Sequence, residues 1–76
     1  MKALLEEFTR ALVDEPAGVH VEEHTEDGVV FLDLEVAEND RGKVIGKRGH
    51  TADALRTLLD AVARRRGVEC DMEVVD

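Results

Sequence analysis

The chain has 76 residues, of which 43% are hydrophobic, 37% charged and 3% aromatic, and its formal net charge is −8. That length fits one domain and not two, and a chain so short buries only ~60% of the surface its unfolded form exposes. A lone cysteine, Cys70, excludes an internal disulfide framework, and no apolar run approaches the ~20 residues needed to span a bilayer.

The N-terminus meets Glu6 and Glu7 before any apolar stretch long enough for a signal peptide, so a cytoplasmic location is expected. Residues 2–13 read as a helix, with Leu4, Leu5, Phe8, Ala11 and Leu12 spaced as one buried stripe. Pro16 and Gly18 break it. Residues 19–25 read as a strand, with Val19, Val21 and Thr25 opposite His20, Glu22 and His24, although Glu23 falls on the apolar face. Asp27-Gly28 is a hairpin signal. Residues 29–37 form the clearest strand: Val30, Leu32, Leu34 and Val36 face one way, and Phe31, Asp33 and Glu35 the other. Asn39 or Asp40 can cap a short helix through Val44 and Ile45 that stops at Gly46. A longer helix over 51–66 follows, with Ala52, Leu55, Leu58, Leu59 and Val62 as its buried stripe and Gly67 as its stop. The last strand, 68–75, turns Val68, Cys70, Met72 and Val74 inward, so Cys70 reads as a core residue. The order α-β-β-α-α-β predicts an α+β sandwich, a three-stranded mixed sheet covered on one face by three helices. Its open face would carry Asp33, Glu35, Glu69, Asp71 and Glu73. Such a face repels nucleic acid and offers no aromatic pair to stack bases.

Charge is unevenly spread. Residues 41–66 hold eight basic and two acidic groups, a net +6, and the rest of the chain carries −14. A distribution of this kind focuses an anionic ligand onto one patch. The plain alternative is a basic, solvated helix surface. Within the segment, Gly46-Lys47-Arg48-Gly49 places two cations between two glycines at the junction of the helices. Glycine leaves no Cβ to block close approach, and the unpaired N–H groups opening the second helix favour an anion. Ordinary punctuation between two helices would also use these glycines. A P-loop is excluded by the spacing of Gly42 and Gly46, and no strand leads directly into the segment as a dinucleotide fingerprint requires.

A hydrophobic residue, Ile45, then Gly46-Lys47-Arg48-Gly49 between two helices resembles the signature of KH domains, and the element order resembles the type II arrangement. The longer string from Gly42 to Gly49, with Thr51, Ala52, Ala54, Leu55 and Arg56, is similar to the small bacterial single-KH proteins of the KhpA (YlqC) family, and the likeness covers essentially the whole chain. The resemblance implies one KH domain over 1–76 that grips single-stranded RNA. The backbone clamp would be Gly46, Lys47, Arg48 and Gly49, with Val44 and Ile45 lining the groove or the core. Ala52 stands where many KH domains carry a larger aliphatic residue. The resemblance also implies a post-transcriptional regulator or RNA chaperone, and either self-association or pairing with a larger KhpB (Jag)-like KH protein. It implies no catalysis.

Around that clamp, Arg41 and Lys43 are near enough to add positive potential, His50 can reach phosphate or simply be solvated, and Arg56 can extend the phosphate track. Arg64, Arg65 and Arg66 begin ~20 Å from the loop and read as a solvated helix end. His20 and His24 lie ~13 Å apart on a strand, too far to share a metal. The chain has no serine and no recognisable nucleophile–base pair. Neither a cofactor, a metal nor a small-molecule substrate is expected. The competing reading is a protein-interaction module in which RNA binding is secondary.

Overall fold

The computed structural model describes residues 1–45 and 51–75. In chain order it contains helix α1 (Lys2–Leu12), a 3-10 turn (Pro16–Gly18), strands β1 (His20–Glu26) and β2 (Val29–Glu35), the helical span α2 (Glu38–Arg66) and strand β3 (Glu69–Val74). Residues 38–45 and 51–66 are two arms of α2, giving the expected α-β-β-α-α-β order. The stop expected at Gly46 lies outside the described residues. Among the described residues no helix is long and apolar enough to cross a membrane.

The sheet order is β1-β2-β3, with β1 antiparallel and β3 parallel to β2. Glu26 pairs with Val29 across Asp27 and Gly28, whose φ angles of 51° and 80° make the two-residue turn that fits strand twist. Register aligns Val21 with Leu34, Leu32 with Met72 and Val30 with Cys70, so the apolar alternation of all three strands meets on one face. Leu5, Val19, Leu32, Leu34, Val44, Leu55, Leu59 and Met72 fill the core between that face and the helices. On the open face His24 stacks on Phe31, ring centroids 5.0 Å apart. Around them stand the carboxylates of Glu22, Asp33, Asp71 and Glu73.

Three expectations need correction. The stripe read on α1 is largely exposed: Leu5 and Thr9 are buried, whereas Phe8 is 41% and Leu12 46% accessible. A three-stranded sheet is narrow, so only the i, i+4 row of Leu5, Thr9 and Val13 meets it. The neighbouring Leu4–Phe8–Leu12 row remains outside, with Leu4 half-buried. The cap of α2 is Ala37, with no side-chain bond, rather than Asn39 or Asp40. Asp40 lies one turn in and is fully buried. Its two carboxylate oxygens accept the N–H groups of Asp14 and Glu15, each at 3.0 Å. Finally, the buried row of the second arm is Ala52, Leu55, Leu59 and Ala63, and Leu58 and Val62 are half-buried.

Glu23, the residue out of pattern in β1, accepts the Lys2 N–H at 3.1 Å. A carboxylate there meets both an unpaired amide and the positive end of the α1 dipole. Gly18 is set by contact: a Cβ there would lie 2.8 Å from Ala37 Cβ, so the chain leaving α1 can press against the start of α2 only without a side chain.

Candidate functional site

The second arm of α2 runs beside β3, and the row Ala52, Arg56, Asp60, Arg64 faces the edge of that strand at the i, i+4 spacing of one helix face. At its upper end a groove of about 360 Å³ opens between α2 and β3, lined by Ile45, Ala52, Arg56, Glu73 and Val74. Ile45, 46% exposed beside the fully buried Val44, gives this groove an apolar wall. Ala52 and Val74 complete it, while Arg56 and Glu73 set opposite charges on its two sides.

Arg56 is anchored. Its Nε donates to the Met72 carbonyl at 3.3 Å, and its Nη1 lies 3.4 Å from Asp53 Oδ1. The planar guanidinium is thus held along the groove wall, with its remaining N–H donors available to an acceptor in the groove.

Lys43 sits two residues before Ile45, which on a helix turns it to a different face. Its Nζ pairs with Asp14 Oδ1 at 3.2 Å, on the side of the loop that follows α1. Both partners are well exposed, so the pair is weak and a stronger anion can replace it. Arg41 lies one turn before Ile45. It is half-buried, and its Nε is buried without a hydrogen-bond partner among the described residues. The structure therefore brings Ile45 and Arg56 together in one groove and places Lys43 against the α1 loop. The expected clamp, Gly46, Lys47, Arg48 and Gly49, and His50 after it, lie outside the described residues.

A family model described as KhpA/KhpB, KH domain, matches residues 2–74. The chain belongs to this family. Relatives bearing the name RNA-binding protein KhpA agree along the full length. The protein of Halalkalibacterium halodurans is 41% identical, with all of both chains covered. That of Clostridium perfringens is 40% identical over 99% of this chain and 100% of its own. That of Treponema pallidum is 45% identical over 96% and 91% respectively. No solved structure gives a significant match.

Within the KhpA/KhpB domain, Glu73 and Val74 are groove residues that sequence reading missed. Alternation sorts them into an outer and an inner residue, and nothing local says that β3 is an edge strand with a helix beside it. The signal available was indirect: α2 connects directly into β3, which brings the helix alongside the strand it precedes. Cys70 lies lower on the same edge. Burial, reinforced by the carboxylates of Asp60 and Asp71, pushes its thiol above the ordinary value. It therefore stays protonated at neutral pH, the opposite of an activated nucleophile.

Proposed function

We propose that the chain is a single KH module that binds single-stranded RNA, with bases in the groove of Ile45, Ala52, Arg56 and Val74 and the phosphate backbone gripped by Gly46, Lys47, Arg48 and Gly49. The observation that carries this reading is the groove itself. It is a trough with apolar Ile45, Ala52 and Val74, one anchored guanidinium and the Glu73 carboxylate opposite it, between β3 and the part of α2 that adjoins residues 46–50 in the chain. The name borne by the full-length relatives supports it. Arg41, Lys43 and His50 add positive potential beside the clamp, and Lys43 exchanges Asp14 for phosphate. Few phosphates are engaged, so affinity is low and the salt slope shallow. The module acts as a post-transcriptional regulator or RNA chaperone in the cytoplasm.

The test is a titration of labelled single-stranded RNA with the wild type and with Lys47→Asp/Arg48→Asp, at several salt concentrations. The variant keeps both glycines, and circular dichroism checks its fold. Binding by the wild type and at least about tenfold weaker binding by the variant is the expected result, with a slope near −0.7 per phosphate contacted. Equal binding would move the RNA site elsewhere.

A second reading, pairing with a second copy or with a larger KhpB (Jag)-like KH protein, has one observation in its favour. Phe8 and Leu12 stand exposed on α1. Sedimentation of the chain alone and mixed with such a partner tests it.

A further inference from the structure

The groove does not end at Arg56. It continues down the edge of β3 into a cavity of about 140 Å³ shared with Arg56 and floored by Leu59 and Met72. Through Asp60 and Cys70 it then enters one of about 340 Å³ beside Ala63 and Arg64. Backbone polarity along this furrow follows from the sheet bonds. Glu69 N–H donates to the Gly28 carbonyl at 3.4 Å and Val75 N–H to the Leu34 carbonyl at 2.9 Å, so the odd-numbered residues turn their polar groups toward β2. Alternation turns those of Cys70, Met72 and Val74 outward, into the furrow. Of these, the Met72 carbonyl is taken by Arg56, and the others have no partner among the described residues.

We infer that the furrow below Arg56 takes an extended peptide of a partner protein, added as a strand to β3, in which basic residues alternate with small apolar ones. The outward groups of Cys70 and the Met72 N–H supply the start of a ladder, and α2 closes the other side of the slot, as in other strand-addition sites. Side chains of the added strand that face the helix meet Leu59, Ala63, Val68 and Cys70, with Arg56, Asp60 and Arg64 beside them. Those on the open face lie beside Glu69 and Asp71, where opposite charge is favoured and like charge is not.

That charge pattern selects the occupant. A second copy would bring its own edge strands, and both carry carboxylates on this face, Glu22 and Glu26 on β1 and Glu69, Asp71 and Glu73 on β3. RNA meets Asp60, Glu69 and Asp71 along the same walls, three carboxylates against the two guanidiniums of Arg56 and Arg64. The strand side of the slot, with Glu69 and Asp71, is acidic and Arg56 and Arg64 stand on the helix side, so a strand that carries its cations on the sheet's open face matches both the hydrogen-bonding edge and its charge.

The probe is the peptide acetyl-Lys-Val-Lys-Val-Lys-Val-amide, with the Glu-Val counterpart as control, followed by amide NMR and hydrogen exchange on the full chain. The expected result is saturable binding of the basic peptide, with shifts and exchange protection at the amides of Cys70 and Met72, and no binding of the acidic one. Glu69→Lys/Asp71→Lys, two exposed positions, should weaken the basic peptide about tenfold and admit the acidic one. Lys47→Asp/Arg48→Asp should bind the basic peptide as the wild type does, which separates this site from the RNA clamp. Absence of protection at these two amides, or indifference to the charge reversal, would overturn the inference. So would protection of the same amides by RNA and not by peptide.

Discussion

Thr9 is 1% exposed, and its Oγ1 has no hydrogen-bond partner among the described residues. A buried hydroxyl without a partner loses its hydration and gains nothing in return. Thr9→Val keeps the shape and the β-branch while removing the polar atom, so it should raise stability by about 1 kcal/mol, read as a higher denaturation midpoint with an unchanged slope. Periodicity could not single out Thr9. In the sequence Leu4, Phe8 and Leu12 make a row as regular as Leu5, Thr9 and Val13 and more apolar. Which row is buried depends on where α1 crosses the sheet, a fact of packing that no helix carries in its own residues. Cys70 was legible for the opposite reason. A strand offers only two faces, and the neighbours Val68, Met72 and Val74 fix which one is inside.

Between elements, the decisive contact is the Asp40 carboxylate on the amides of Asp14 and Glu15. It ties the start of α2, the part that carries Val44 and Ile45, to the segment leaving α1. Asp40→Ala leaves two amides without their acceptor and should cost about 2–3 kcal/mol, while Asp40→Asn retains one acceptor and should cost less; thermal or urea unfolding of the pair of variants checks the order. The presence of α1, β1, β2, both arms of α2 and β3 could be read from periodicity and turn residues, because each signal is local. Asp40 was read as a cap because its position near the helix start suits one. Its true role lies 26 residues back in the chain, beyond any local pattern. The groove divides in the same way. Ile45, Ala52 and Arg56 could be named from the segment around 46–49, whereas Glu73 and Val74 enter only through the parallel pairing of β2 with β3.

Over the whole molecule, charge is sorted by face, with the open side of the sheet bearing Glu22, Glu26, Asp33, Glu35, Asp71 and Glu73 and the basic groups gathered on α2. If RNA approaches the α2 side, that acidic face slows its arrival from every other direction. Glu22→Gln/Glu26→Gln/Asp33→Asn should therefore speed RNA association several-fold at low salt and leave it nearly unchanged at high salt, where charges farther apart than a few ångströms are screened; stopped-flow fluorescence measures both limits. The mixed pairing of the sheet also sets a schedule for folding. The β1–β2 hairpin closes across two residues and can form within microseconds. The third strand returns only after the 29-residue span of α2, so its docking must wait for a long closure that the helix shortens by winding up first. The groove, whose one wall is that returning strand, is then the last part of the molecule to exist, and the first to vanish when the strand lets go.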